Sequence, residues 1–369
     1  TLNVYNWGEY ISVDDGGEGA FDVNSEFERL TGIRVNYANF ASNEELYAKL
    51  KSGGASYDVI IPSDYMIARL INENLLEKLD FSNIPNFGYI DQTYVNPEYD
   101  PKNEYSVPYM WGTVGIIYNT TMVDEEDDVH SWDILWNEKY ANNILMFSNS
   151  RDAFAIALFK LGYSINTTDA GQLEDAADAL KDQKPIVQAY VMDEIFDKMG
   201  GGEAALAPYY AGDALVMIED NPDLAFVIPD EGTNLFADAM CIPKGAKNKE
   251  AAELYINFMC ETLVALKNAE YIGYSTPHTG AFEYLGEHLR NSEIAYPSAE
   301  TLANTEVFIA LPDATTKLVD SLWTEILSNV GTNPWMTPVI LVAALGLTVY
   351  INVRRMFKKR KGSGGYSSS

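Results

Sequence analysis

Apolar and polar residues recur with two different periods along the first 75 residues. A period of two, typical of a half-buried strand, alternates with a helical period near 3.6. Strands are predicted over 1–7, 33–40 and 57–63, and helices over 21–30, 42–51 and 64–75. This alternation predicts βαβ units, and therefore a parallel sheet with helices on its faces.

Two of these predicted strands end in segments that are candidates for binding, NWGEY (6–10) and PSDY (62–65). Ligands of parallel α/β sheets bind outside the carboxyl ends of the strands. Each segment combines aromatic, hydroxyl and carboxylate groups. We therefore expect a binding site at this edge of the sheet.

The middle of the chain predicts a crossover and a second series of α/β units. YSVPYMWGTVGIIYN (105–119) has two strand-like halves around Trp111-Gly112, which we interpret as a crossover between two lobes. A length of 369 residues also favours two lobes over one core. Downstream, strands are predicted over 144–147, 186–192, 224–230 and 235–243, and helices over 151–163, 169–181, 249–259 and 263–271, with one more beginning at Asp193.

The run 335–353 contains 19 residues and no charge, WMTPVILVAALGLTVYINV. As a helix it would span about 28 Å, close to the thickness of a hydrocarbon core. The basic run RRMFKKRK follows at once, and the positive-inside rule places it in the cytoplasm. We therefore expect a linker over 329–334, a transmembrane helix over 335–353 and a basic cytoplasmic tail over 354–369. A buried hairpin or core helix is the alternative.

That topology predicts an extracytoplasmic body, in the periplasmic space or on the outer face of the cell membrane, anchored by the C-terminal helix. An outside location needs a signal peptide, and either its removal or a truncation would explain why the sequence begins at Thr1. The formal net charge is −29. Such a body repels nucleic acid and attracts cations, so we expect no nucleic-acid partner, although solubility alone also explains the charge.

Residues for catalysis or metal binding are sparse. Cys241 and Cys260 form no C-x-x-C pair, and the three histidines are scattered, so neither a zinc site nor a cofactor is predicted. The two cysteines are expected to be separate buried thiols, with a disulfide as the alternative. No nucleophile elbow, zinc-protease motif or phosphate loop occurs, and MGGGEAAL (199–206) reads as a helix break. No catalytic residue is therefore predicted.

What remains is a set of aromatic and acidic residues that suits a flexible cation. Carboxylates form charge-assisted hydrogen bonds with ammonium groups, and aromatic faces cover methylenes and add cation–π attraction. A polyamine, with methylene chains between protonated amines, fits this chemistry. Any one of these residues, taken alone, is more often a core residue or a solvated surface residue than a ligand-binding residue.

Seven segments in order resemble the bacterial spermidine/putrescine-binding proteins that serve ABC transporters. The resemblance runs from about residue 2 to residue 328 and keeps the order of the motifs. The segments are YNWGEY (5–10), FERLTGIRVNY (27–37), SNEELYAKLKSG (42–53), YDVIIPSDYM (57–66), YSVPYMWGTVGIIYN (105–119), NKEAAELYINFM (248–259) and EYIGYSTP (270–277).

The resemblance implies a two-lobed type II periplasmic-binding-protein fold with the ligand between hinged lobes. The first lobe is expected over 1–113 and 238–282, and the second over 114–237 and 283–328. The implied partners are a polyamine and an ABC transporter permease. The implied ligand-binding residues are Trp7, Glu9, Tyr10, Ser63, Tyr65, Asn149, Asp152, Tyr210, Asp213, Phe236, Asp238 and Tyr274.

Several positions depart from the family pattern. Asn149 stands where spermidine-preferring members have an acid, whereas Asp213 matches an acid of putrescine-preferring members. Tyr210 replaces the usual Trp, Phe308 stands where the family has Gln, and 14–22 looks like an insertion. The choice between spermidine and putrescine therefore stays open.

Three other functions compete with this interpretation. The first is a binding protein for another small cationic or amino-acid solute, for which Arg151 is a candidate carboxylate clamp. The second is an enzyme with Cys241 or Cys260 as nucleophile, and the third is a sensor that signals through a partner.

Overall fold

The computed structural model describes residues 1–14, 16–17, 19–53 and 56–328. Strands alternate with helices along this part of the chain, as the hydrophobic pattern predicts. The strands are β1 (Leu2–Trp7), β2 (Val35–Phe40), β3 (Val59–Ile60), β4 (Ser106–Asn119), β5 (Ile144–Phe147), β6 (Val187–Val191), β7 (Leu206–Tyr210), β8 (Leu224–Val227), β9 (Thr233–Cys241) and β10 (Thr305–Glu306).

The helices begin and end where the sequence provides caps. Ser42 accepts a hydrogen bond from the backbone of Glu45, and Gly32 ends the first helix in the left-handed conformation at φ 71°. The helices are α1 (Val23–Thr31), α2 (Asn43–Lys51), α3 (Asp64–Asn72), α4 (Ser150–Lys160), α5 (Ala170–Gln183), α6 (Ala211–Asp220), α7 (Lys249–Met259), α8 (Thr262–Ile272), α9 (Thr279–Tyr284), α10 (Glu287–Arg290), α11 (Ala299–Leu302) and α12 (Asp313–Ser328).

The strand order β2-β1-β3-β9-β4-β7-β5-β6 contains two parallel halves. β1 pairs in parallel with β2 and β3, and β5 pairs in parallel with β6 and β7. The antiparallel ribbon of β4 and β9 joins the halves. This is a two-lobed α/β architecture in which two long strands cross between the lobes. The lobe boundaries at 113/114, 237/238 and 282/283 stay a prediction.

The crossover differs from its predicted form. In place of two halves around Trp111-Gly112, β4 is one continuous strand of 14 residues. Gly112 lies opposite Phe236 of β9, and a Cβ on Gly112 would come within 3.0 Å of the Phe236 ring. The glycine therefore leaves room for that ring across an unbroken strand instead of interrupting it.

Two other local predictions need correction. β3 covers two residues of the predicted 57–63 run, and the helix expected from Asp193 is the short π-helix Phe196–Gly200. An apolar run indicates that a segment is buried, but a buried segment need not form a long hydrogen-bonded strand.

The expectation of a membrane helix is corrected. None of the helices in the described part of the chain is long and apolar enough to cross a membrane. The predicted linker (329–334), transmembrane helix (335–353) and basic tail (354–369) lie outside the described residues. The fold class that the structure supports is the two-lobed α/β fold alone.

Candidate functional site

A cavity lies where β1, β7 and β9 meet the first turns of α3, α4 and α6. It encloses about 590 Å³, part of which is open solvent. Ten of the twelve predicted binding residues line its wall. The lining residues are Trp7, Gly8, Tyr10, Asn43, Ser63, Tyr65, Asp152, Met192, Asp193, Tyr209, Tyr210, Asp213, Asn234, Phe236, Asp238, Tyr274 and Phe308.

Asp238 is the buried carboxylate at the β9 side of this cavity. It accepts hydrogen bonds from the hydroxyls of Tyr10 and Ser63, each at 2.6 Å. Ser63 precedes the first turn of α3, and its own backbone N–H donates to Asn43. Burial raises the pKa of Asp238 to about 6, and the two hydroxyl hydrogen bonds partly oppose that shift.

Two more carboxylates of the wall stand in the first turns of helices. Asp213 in α6 accepts a hydrogen bond from the Tyr274 hydroxyl at 3.0 Å, and Asp152 in α4 accepts one from Tyr210 at 2.6 Å. Burial raises the pKa of Asp213 to about 8 and raises the pKa of Asp152. Helix N-termini favour negative charge, so these acids are positioned to ionise when a cation enters.

Aromatic rings occupy the wall between the carboxylates. Tyr274 packs edge-on against Tyr10 with ring centroids 4.9 Å apart, and Phe236 contacts Tyr210 at 5.4 Å and Tyr274 at 6.1 Å. Gly212 makes this packing possible, because a Cβ there would lie 2.0 Å from the Tyr274 ring. Among the described residues, no Lys or Arg lines the cavity. The wall therefore offers acceptors and ring faces, which suit an organic cation.

The profile of the bacterial extracellular solute-binding protein family matches residues 23–293. The spermidine/putrescine-binding periplasmic protein of Salmonella typhimurium is 38% identical over 307 residues, covering 83% of this chain and 86% of the relative. The chain belongs to the bacterial extracellular solute-binding proteins. The resemblance on which the sequence interpretation rested is thereby confirmed.

Solved structures agree with this assignment to the solute-binding family. One from Listeria monocytogenes has a TM-score of 0.84 at 39% identity and covers 89% of this chain and 98% of its own. The spermidine/putrescine ABC transporter substrate-binding protein of Streptococcus pneumoniae has a TM-score of 0.71 at 41% identity, covering 88% of this chain and 98% of its own.

Two of the predicted binding residues of this solute-binding protein lie outside the cavity wall. Glu9 is exposed beside the wall residue Gly8 and has φ 47°. Its charge helps to raise the pKa of Asp213, after burial and after Asp193. Asn149 caps α4, and its side chain accepts a hydrogen bond from the backbone N–H of Asp152 at 2.9 Å. Asn149 therefore supports the helix that presents Asp152.

The structure adds wall residues that the predicted set lacks. Asp193 lies two residues after the end of β6, and its carboxylate lies where a Cβ on Gly8 would be, so the two segments touch. Asn234 stands two residues before Phe236 on β9, and strand alternation could have found it. Asn43 and Met192 carried no comparable signal, whereas the other three additional wall residues lie in or beside segments that the sequence had singled out. These are Gly8, Tyr209 and Phe308.

The candidate groups for other functions lie elsewhere. Arg151 does not line the cavity, and its guanidinium donates to the Asn166 side chain and to the Ile309 carbonyl at 3.0 Å each. Cys241 and Cys260 are free and buried, which confirms two separate thiols. Burial raises the pKa of Cys260 to about 12 and the pKa of Cys241 well above its usual range. Within the described residues, no cluster of three or more His, Cys, Asp or Glu side chains suits a metal ion.

Proposed function

We propose that this solute-binding protein captures a polyamine, spermidine or putrescine, outside the cytoplasm and delivers it to the permease of an ABC importer. The observation that carries the proposal is the cavity wall, where Asp152, Asp213 and Asp238 are interleaved with aromatic rings. A cation with several separated charges can form a charge-assisted hydrogen bond with each of these carboxylates.

The electrostatics of the wall support a ligand with more than one positive charge. Burial raises the pKa of Asp213 and of Asp238, so these carboxyls resist ionisation while the cavity is empty of cations. An ammonium group beside each carboxylate lowers the free-energy cost of ionising it, because an opposite charge favours the ionised form. The rings of Tyr10, Phe236 and Tyr274 then cover the methylenes between the ammonium groups.

The names of the relatives support the same ligand class. Besides the Salmonella protein, a putrescine-binding periplasmic protein of Pseudomonas aeruginosa is 29% identical over 345 residues, covering 89% of this chain and 92% of the relative. The word periplasmic in both names supports an extracytoplasmic location for this chain.

The mechanism that we infer is closure of the two lobes about the β4–β9 ribbon. Asp238 and Ser63 approach the ligand from one half of the sheet, and Asp152 and Asp213 from the other. Only the closed form contacts the ligand from both sides, so binding shifts the equilibrium toward it. The permease would then distinguish the loaded from the empty protein by shape.

The competing functions find less support in the geometry. A ligand with a carboxylate needs a cation in the wall, and Arg151 is engaged by Asn166 and Ile309. A cysteine nucleophile needs a lowered pKa, whereas burial raises the pKa of both thiols.

Isothermal titration of the full chain tests the proposal. The ligands are putrescine, spermidine, spermine and a panel of amino acids, each at two salt concentrations. We expect saturable 1:1 binding of one or two polyamines that persists at the higher salt. Weak binding that salt abolishes would assign the attraction to surface charge and contradict a polyamine site.

A further inference from the structure

Three alternate residues of β9 face the cavity. Asn234, Phe236 and Asp238 all line its wall, as residues i, i+2 and i+4 of one strand must share a face. β9 thus presents an amide, a ring and a carboxylate in a row, with about 13 Å between the first and last Cα atoms. The intervening Leu235 and Ala237 face the other side of the ribbon.

Asn234 has an acceptor that nothing in the described chain satisfies. The residue is 3% exposed, and its Oδ1 is buried without a hydrogen-bond partner among the described residues. Asp152, Asp213 and Asp238, in contrast, each accept a hydrogen bond from a hydroxyl. An unpaired buried acceptor lowers stability, so its presence in a cavity wall points to a donor that arrives with the ligand.

We infer that Asn234 Oδ1 accepts a hydrogen bond from an amino group of the ligand and favours a triamine over a diamine. The inference rests on the proposed polyamine function. A ligand that pairs one ammonium with Asp238 and runs along β9 crosses the Phe236 ring before it reaches Asn234. Putrescine, with a single four-carbon arm, is too short to pair with both ends of the row. Spermidine adds a three-carbon arm and a third amino group.

The test compares Asn234→Leu and Asn234→Asp with the unaltered full chain by calorimetric titration. Leu keeps the size of the side chain and removes the acceptor, so we expect spermidine affinity to fall about tenfold or more. Putrescine affinity should fall less than about threefold, because its amino groups pair elsewhere. Asp keeps an acceptor, and we expect it to retain spermidine affinity.

Gln183→Leu is the matched control. Gln183 also carries a buried oxygen without a partner among the described residues, but it lies at the end of α5 and outside the cavity wall. The Gln183→Leu variant should leave the ratio of spermidine to putrescine affinity unchanged. Thermal unfolding of every variant identifies any loss of fold before affinities are compared.

The outcomes separate this inference from the function on which it rests. Selective loss of spermidine affinity in Asn234→Leu, with retention in Asn234→Asp, supports the inference. Equal losses for both ligands, no loss, or loss in both variants overturns it and leaves polyamine binding intact. Failure of the unaltered chain to bind either polyamine would overturn the proposed function itself.

Discussion

At the scale of the residue, three of the cavity carboxylates, those of Asp152, Asp213 and Asp238, each accept a hydrogen bond from a tyrosine hydroxyl of another segment. Tyr10 on the β1 side donates to Asp238, and Tyr274 beyond α8 donates to Asp213. The hydroxyl orients the carboxylate and leaves it further acceptor capacity for a ligand. Since these acids are already buried, ligand binding removes little further water from them.

Asp238→Asn removes one of these charges without changing the size of the side chain. We expect polyamine affinity to fall about tenfold to a hundredfold, because a charge-assisted hydrogen bond becomes a neutral one. Calorimetric titration measures the change. Asp178→Asn is the control, since the Asp178 side chain is 74% exposed on α5. An unchanged affinity in Asp238→Asn would show that the pocket is wrongly assigned.

The raised pKa of Asp213 predicts how stability depends on pH. Its pKa of about 8 in the folded protein exceeds the ordinary value near 4, so the folded state binds a proton that the unfolded chain releases. The free energy of unfolding without ligand should therefore fall from about pH 4, where the unfolded carboxyl releases its proton, to about pH 8, where the folded one does. Urea unfolding should show a smaller fall in Asp213→Asn. If both proteins lose the same stability, burial does not hold the proton on Asp213.

At the scale of the element, the N-cap of α4 both stabilises the helix and positions a residue of the cavity wall. Its N-cap, Asn149, accepts from the backbone of Asp152 and so fixes the turn that presents that carboxylate. The Asn149 side chain thus caps the helix through its oxygen, and its Nδ2 lies 3.4 Å from the sulfur of Met192.

Asn149→Ala should therefore affect both stability and binding. Loss of an N-cap costs about 1 kcal/mol, which urea unfolding measures. Because Asp152 lies in the freed turn, we also expect weaker polyamine binding by titration.

The control for that prediction is the cap of a helix outside the cavity. Asp169 caps α5 by accepting from the backbone of Gln172 at 3.0 Å, and α5 contributes nothing to the cavity wall. Asp169→Ala should lose similar stability and keep its affinity. Equal affinity in both alanine variants would limit Asn149 to a structural cap.

At the scale of the whole molecule, the β4–β9 ribbon connects the two halves of the sheet, and Tyr274 meets α6 across the cavity. A Cβ on Gly212 would lie 2.0 Å from the Tyr274 ring, and one on Gly273 would lie 2.8 Å from the Gly212 carbonyl oxygen. These two glycines allow the close approach. The contact couples the position of Asp213 to the distance between the halves.

Gly212→Ala should hold the halves apart. We expect the ligand-bound radius of gyration from X-ray scattering to stay near the ligand-free value, and polyamine affinity to fall about tenfold. Gly88→Ala is the control, since an added Cβ there meets nothing within 4 Å. A normal decrease in radius on binding by Gly212→Ala would contradict this role for the contact.

Much of the fold and most of the cavity wall could be predicted. The elements β5 (Ile144–Phe147) and α7 (Lys249–Met259) have the predicted boundaries. Ten of the twelve site residues that the family resemblance implied line one cavity. Several of them stand at strand ends or in first helical turns, which converge in such sheets. The prediction of a membrane helix as part of the fold was wrong. A local apolar run shows that a segment is hydrophobic, but it does not show where that segment lies in the architecture.

The sequence by itself determined the α/β alternation, the family and the chemistry of an acidic, aromatic site, because hydrophobic period and residue type are local properties. Only the tertiary structure decided which of those residues share a wall. Glu9 and Asn149 stay outside it, while Asp193 and Asn234 enter it, since side-chain direction depends on strand face and on contacts between distant segments. The raised pKa of Asp213 has the same origin, because desolvation depends on what surrounds a residue in space.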